Sequence, residues 1–151
     1  MGKELAERYP DIEFDEKIID AACMHMVMNP AQFDVVVTTN MFGDILSDLT
    51  AGLVGGLGLI PGANIGDDAA LFEAVHGSAP DIAGKNIANP SAVIMAGVMM
   101  LNHLGEKEAS ERVRNATEKV IEEGKNVTPD LNPDSGSGTV EMGDAIIAAM
   151  E

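Results

Sequence analysis

The chain has 151 residues, of which 46% are apolar and 23% charged, a composition typical of one globular domain with a sizeable core. Its net charge of −16 repels phosphate backbones and anionic headgroups, which argues against nucleic-acid binding and against membrane association. The only cysteine, Cys23, allows no disulfide within the chain, and the N-terminus lacks a signal-peptide pattern. These features predict a cytoplasmic protein.

The hydrophobic pattern predicts helices that alternate with short strands, which is typical of the α/β class. In the first third the predicted elements are a helix over 3–9 stopped by Pro10, a strand over 12–14, a helix from Asp15 to Asn29–Pro30, a buried strand over 35–37 and a helix over 44–53. The remainder is predicted as a Gly-rich loop over 55–68, a strand over 71–75, a long ordered loop over 76–90, a helix over 91–104 with Ser91 as N-cap and Gly105 as stop, a helix over 106–123, a loop over 126–139 and a helix over 141–150.

Two carboxylates, Asp44 and Asp48, are candidates for a divalent-cation site. They are four residues apart in NMFGDILSD, so a helix would carry both on one face, directly after a predicted strand. Carboxylate oxygens suit a hard cation, although most of the 25 acidic residues are expected simply to be solvated. Asp20 lies among apolar neighbours, where a position at the rim of a packed helix and a role with a partner or metal are about equally plausible.

The segment HGSAPD, from His76 to Asp81, is a candidate for ligand binding because small residues let a backbone approach a nucleotide closely. A carboxylate there can accept hydrogen bonds from a ribose diol and would repel a 2′-phosphate. A purely structural loop is the more frequent reading of such a segment. The glycine cluster at 52–62 does not form the GxGxxG fingerprint, since Pro61 stands where its last glycine is needed.

Taken together, DVVVTTNMFGDILSDLTAGLVGGLGLIPGANIG and FEAVHGSAPDIAGKNIANPSA resemble the C-terminal half of the isocitrate/isopropylmalate dehydrogenases. The stretch GLGLIPGANIG and the ending EMGDAII are more similar to the NAD-dependent isocitrate branch than to the isopropylmalate branch. The resemblance implies part of that family's open α/β sheet flanked by helices. Over 1–151, about 1–30 would come from the dimer-forming small-domain region and about 31–151 from the large dinucleotide-binding domain.

The resemblance also implies roles for individual residues. Asp44 and Asp48 would bind Mg²⁺ or Mn²⁺, and Asp20 would serve the metal site of a partner subunit. Asp81 and Ile82 stand where NADP-using members have a Lys-Tyr pair, so NAD is the implied cofactor. The complete set implied to hold the dinucleotide is His76, Gly77, Ser78, Ala79, Asp81, Ile82, Asn89 and Asp130, with the last two by the adenine.

The implied reaction is the oxidative decarboxylation of isocitrate to 2-oxoglutarate in the tricarboxylic acid cycle. The family's catalytic Tyr and Lys and its substrate-binding Ser and Arg cluster have no counterpart here, because neither Tyr9 nor Lys17 matches them. These differences predict a portion of a larger or split enzyme that is inactive alone and that forms a homodimer or pairs with the missing N-terminal half. A 3-isopropylmalate or related 2-hydroxy-acid dehydrogenase and a non-catalytic metal- and nucleotide-binding regulatory module are the alternatives.

Overall fold

The computed structural model describes residues 2–151, which divide into two compact units at Thr50 and Ala51, within one helix. The predicted division at about residue 30 concerns the domains of a longer protein and stays a prediction. The helices are α1 (Gly2–Ala6), α2 (Ile19–Met28), α3 (Asn40–Leu53), α4 (Ser91–His103), α5 (Lys107–Glu123) and α6 (Thr139–Ala149). The strands are β1 (Pro61–Ile65) and β2 (Ala70–Ala74), and short 3₁₀ turns lie at Pro30–Gln32, Leu57–Leu59 and Pro80–Ile82. None of the helices in residues 2–151 is long and apolar enough to cross a membrane.

The N-terminal unit has a small core in which α2 contacts α3. Ala22, Met26 and Leu46 are buried together, and Ile19, Cys23, Phe33 and Leu49 are half-buried around them. The two buried residues of α2, Ala22 and Met26, are four positions apart and therefore lie on one face of the helix. Three buried side chains form a small core for 50 residues, and the unit therefore gains little apolar burial of its own.

The C-terminal unit is built around α4, which packs against the sheet on one side and against α5 on another. α5 in turn packs on α6, and the core between them consists of Ala116, Val120, Val127, Met142 and Ile146. The buried hydroxyl of Ser110 in α5 donates to the carbonyl oxygen of Val98 in α4 at 3.0 Å, which fixes the two helices in register. Gly105 has φ +85° and ends α4 as the sequence predicts.

The sheet has two antiparallel strands, with Pro61 opposite Ala74 and Ile65 opposite Ala70. A tight turn joins them, in which the N–H of Gly66 donates to the carbonyl oxygen of Ala69. The predicted strand over 71–75 is confirmed as β2, whereas the prediction of a loop throughout 55–68 is wrong because β1 lies within it. The sequence did not indicate β1 as a strand because it begins with Pro61 and Gly62, and both residue types usually interrupt strands.

Two other predicted strands, over 12–14 and 35–37, do not form in residues 2–151. A β-branched run forms a strand only beside a partner, and within residues 2–151 no strand pairs with 35–37. Val35 and Val37 are accordingly 82% and 93% exposed. The helix predicted from Asp15 begins later, at Ile19, because the carboxylate of Asp15 binds the N–H of Glu16 and the amine of Lys17 instead. The mixture of helices with a small sheet is an α/β fold.

Candidate dinucleotide and metal sites

Asn89 connects two segments of the C-terminal unit that are far apart in sequence. Its Nδ2 donates to Oδ2 of Asp130 at 2.9 Å, across a separation of 41 residues. Its Oδ1 accepts the backbone N–H of Ser91 at 2.9 Å, which satisfies one of the free N–H groups at the start of α4. Both ends of the carboxamide are thus committed, and the two residues expected beside the adenine lie next to each other.

The prediction that Ser91 caps α4 is wrong. Ser91 is the first helical residue, and its buried Oγ has no hydrogen-bond partner among residues 2–151. Pro90 precedes it and has no N–H to be satisfied, while the Asn89 side chain supplies the capping acceptor. The sequence order Asn-Pro-Ser could have indicated this cap, because Asn is as good a capping residue as Ser and here directly precedes the proline.

The end of the long loop is attached to the start of α6 through Asn86. Its backbone carbonyl accepts the N–H of Thr139, and its Oδ1 accepts the N–H of Val140, both at 3.0 Å. Its Nδ2 donates to Oε2 of Glu141 at 2.9 Å. Asn86 has φ +56°, the left-handed conformation that Asn tolerates better than most residues. Four consecutive residues of the chain, 138–141, therefore meet one side of this loop.

Gly138 and Glu141 complete this junction. Oε2 of Glu141 also accepts the N–H of Gly138 at 3.0 Å. This is one of the two hydrogen bonds of a capping box, the one that needs no side chain on the N-cap residue. The pKa of the Glu141 carboxyl is held below its ordinary value by three hydrogen-bond donors. They are the backbone N–H of Glu141 itself, the side chain of Asn86 and the N–H of Gly138. A Cβ on Gly138 would overlap the carbonyl oxygen of Asn86 and lie 2.5 Å from its Nδ2, so only glycine fits.

The predicted dinucleotide loop is exposed over most of its length. His76, Gly77, Ser78, Ala79 and Asp81 are exposed, and Ile82 is half-buried. Nδ1 of His76 donates to the carbonyl oxygen of Gly77 at 3.0 Å. Ala79 has φ +42°, a left-handed conformation that is unusual for a residue other than Gly, Asn or Asp and that occurs often at ligand-binding sites. The loop therefore offers accessible backbone and one strained residue, Ala79, two positions before Asp81.

The three predicted metal ligands all lie in the N-terminal unit and are exposed. Asp44 and Asp48 are on α3, and Asp44 accepts a 3.3 Å hydrogen bond from Nδ2 of Asn40. Asp20 is on α2, where its Oδ1 accepts the N–H of Ala21. Within residues 2–151 no group of three His, Cys, Asp or Glu side chains is arranged to hold a metal. Two carboxylates on one helix nevertheless suit Mg²⁺, which keeps several water ligands.

Sequence reasoning did not find Asn86, Gly138, Thr139 or Glu141. The segment Gly138-Thr-Val-Glu141 carries a recognisable helix-start signal, with Glu three residues after a possible N-cap. Nothing in the sequence indicates its partner, because Asn86 is 55 residues away from Glu141 and lies in a loop. Such a pairing depends on how α4, α5 and α6 pack, which local patterns do not encode.

A family model described as isocitrate/isopropylmalate dehydrogenase matches residues 1–146. A 3-isopropylmalate dehydrogenase from Archaeoglobus fulgidus is 60% identical over 129 residues, which is 85% of this chain and 39% of the relative. The mitochondrial catalytic subunit 5 of an isocitrate dehydrogenase [NAD] from Arabidopsis thaliana is 57% identical over 95% of this chain and 38% of the relative. An isocitrate dehydrogenase [NADP] from Thermus thermophilus is 52% identical over 96% of this chain and 29% of that relative.

Among solved structures, an isocitrate dehydrogenase from Methylococcus capsulatus superimposes with a TM-score of 0.91 at 65% identity. The superposition covers 99% of this chain and 44% of the solved one, so the chain spans less than half the length of the relatives it matches. Because 99% of the chain is covered, the superimposed part includes α3, the loop after β2 and α6. The chain therefore belongs to the isocitrate/isopropylmalate dehydrogenase family.

Proposed function

We propose that the chain is the metal- and NAD-binding portion of an NAD-dependent isocitrate dehydrogenase. The observation that carries the proposal is the hydrogen bond between Asn89 and Asp130. It brings together two residues that the family resemblance independently assigns to the adenine. The exposed backbone of 76–81 and the left-handed Ala79 support a nucleotide-binding role for the same loop.

In this proposal the carboxylates of Asp44 and Asp48 hold Mg²⁺ or Mn²⁺ from one side, and Asp20 serves the metal site of a partner subunit. Asp44 and Asp48 are exposed, and neither is in an ion pair among the described residues, which leaves their oxygens available as ligands. The bound cation would act as a Lewis acid toward the oxygens of a 2-hydroxy acid. The protein's own contribution is to orient the two carboxylates on a rigid helix face.

The partner in the proposal is either a second copy of this chain or the N-terminal half that the relatives possess. A cytoplasmic location is also proposed, on the strength of the single, unpaired Cys23. The exposed valine run over 35–37 supports the need for a partner, since it leaves large apolar side chains in water.

Dinucleotide preference tests the proposal directly. Titration calorimetry on the chain should give tighter binding of NAD⁺ than of NADP⁺, because the Asp81 carboxylate repels a 2′-phosphate and can bond a ribose diol. Asp81→Asn removes the repulsion and should lower the NAD⁺ to NADP⁺ affinity ratio about tenfold, which corresponds to about 1.4 kcal/mol.

The matched control is Asp68→Asn, which removes the same charge in the exposed turn between β1 and β2. It should leave the affinity ratio unchanged. Equal affinity of the parent for both dinucleotides, or an equal shift in both variants, would mean that Asp81 does not select the cofactor. A parent chain that binds neither dinucleotide would overturn the proposed function.

A second candidate substrate is 3-isopropylmalate, which the 60% identity to the Archaeoglobus fulgidus enzyme favours. The two candidates can be separated with chimeras in which this chain replaces the matching C-terminal part of either relative. We expect the chimera with the Methylococcus capsulatus isocitrate dehydrogenase to retain the larger fraction of its parent enzyme's kcat/KM, because 65% identity preserves more of the contacts between the joined parts. Greater activity of the isopropylmalate chimera relative to its own parent enzyme would reverse the preference.

A further inference from the structure

We propose that Asn86, Gly138 and Glu141 form a latch that positions the dinucleotide loop against the start of α6, and that dinucleotide affinity depends on it. None of the three is proposed to touch the nucleotide. The inference rests on the proposed function of the loop, and it adds positioning residues in a helix more than 40 residues beyond the loop. The latch is defined by these three residues throughout.

The first argument is the density of directional contacts at Asn86. Its carbonyl, Oδ1 and Nδ2 each have a partner in residues 139–141, at 3.0, 3.0 and 2.9 Å. The Thr139 hydroxyl adds a further bond to the carbonyl oxygen of Ala88, two residues on. These four hydrogen bonds between one short loop segment and the start of one helix restrain the segment to a single conformation.

The second argument is the short covalent path from the latch to the proposed adenine contacts. Asn86 is three residues before Asn89, whose side chain is already fixed between Asp130 and the start of α4. A displacement at Asn86 must therefore be absorbed by Ile87 and Ala88 alone, or be passed to Asn89. Because a small misplacement of a positioned group weakens binding strongly, the latch controls the geometry of the site without contacting the ligand.

The third argument is steric. Gly138 is buried, and a Cβ there would lie 2.5 Å from Nδ2 and 2.9 Å from Cγ of Asn86 as well as overlapping its carbonyl oxygen. The clash involves backbone, so rotation of a side chain cannot relieve it. The helix that Gly138 precedes, α6, contains another glycine, Gly143, at which a Cβ would meet nothing within 4 Å. The pair Gly138→Ala and Gly143→Ala thus offers one chemical change at an intolerant and at a tolerant position.

The experiment combines NAD⁺ titration with amide hydrogen exchange on the chain. Gly138→Ala and Asn86→Gly should each raise the Kd for NAD⁺ about tenfold and accelerate exchange at 138–141, whereas Gly143→Ala should change neither. Asn86→Gly keeps the left-handed backbone available and removes only two side-chain bonds, so it tests the latch even if Gly138→Ala does not fold. Glu141→Ala should weaken NAD⁺ binding, and Glu141→Gln should largely restore it because its amide oxygen can accept the same two hydrogen bonds.

The outcomes separate the latch from the function that it serves. A parent that binds NAD⁺ while Asn86→Gly and Gly138→Ala bind it equally well would overturn the latch and leave the proposed function standing. Unchanged exchange at 138–141 in both variants would also overturn it. A parent that does not bind NAD⁺ at all would overturn the proposed function together with the dinucleotide role of the latch.

Discussion

At the scale of single residues, the candidate metal site consists of two exposed carboxylates that face water on one helix. Asp44 has one neutral hydrogen-bond donor, Asn40, and the ion pairs within residues 2–151, Lys3–Glu16 and Lys17–Asp15, involve neither carboxylate. Exposed carboxylates without cationic neighbours give up no ion pair when they bind a metal ion. Two protein ligands, however, displace only a small part of the water around Mg²⁺ or Mn²⁺. Weak binding is therefore the physical expectation for this chain alone.

Titration with Mn²⁺ should show weak binding to the parent and at least about tenfold weaker binding to Asp44→Asn/Asp48→Asn, a difference of about 1.4 kcal/mol. The reason is the loss of both charged oxygen ligands from the face of α3. Glu118→Gln/Glu122→Gln is the matched control, since it neutralises two exposed acids four apart on α5 and should leave the affinity unchanged. Sub-micromolar Mn²⁺ binding that survives in Asp44→Asn/Asp48→Asn would exclude these residues from the site.

At the scale of elements, local patterns predicted the long helices well and the strands poorly. Helix α4 is apolar along most of its length, and α5 repeats apolar residues at helical spacing. Each is followed closely by a glycine with positive φ, Gly105 after α4 and Gly124 after α5. A strand, in contrast, forms only if a neighbour pairs with it, so the β-branched run at 35–37 stays unpaired, while the breaker-rich β1 forms a strand because β2 lies beside it. Long-range partners decided each of these differences.

The same reasoning applies to the candidate site. The motif around Asp44 and the HGSAPD loop were found because their chemistry is contained within a short stretch of sequence. Asn89 and Asp130 were assigned to the adenine only through family resemblance, which stays a prediction. The hydrogen bond between them and the hydrogen bonds of Asn86 to the start of α6 were not predicted. The latter two depend on segments joined by the packing of α4, α5 and α6, for which a single sequence gives no local signal.

At the scale of the whole molecule, the two units differ in how much apolar surface they bury. The core around Met142 includes five buried residues and several half-buried ones, whereas the core around Met26 has three buried residues. Large apolar side chains are also exposed in residues 2–50, among them Ile18 at 75% and Val37 at 93%. Apolar burial is the main term that offsets chain entropy, so the N-terminal unit should be the less stable one when the chain is alone.

We therefore expect the isolated chain either to self-associate or to melt below about 60 °C, the upper end of the range typical of mesophilic domains. Size-exclusion chromatography with light scattering and a thermal scan measure the two properties, and hydrogen exchange should show weaker protection in 2–50 than in 51–151. Val35→Thr/Val37→Thr should reduce any self-association, because it makes the most exposed part of the apolar run polar. Val93→Thr/Val140→Thr, which changes two exposed helical valines, is the control and should not. A sharp monomeric transition above about 60 °C with uniform protection would show that the exposed valines need no partner, and that the 50-residue unit is stable with only the small core around Met26.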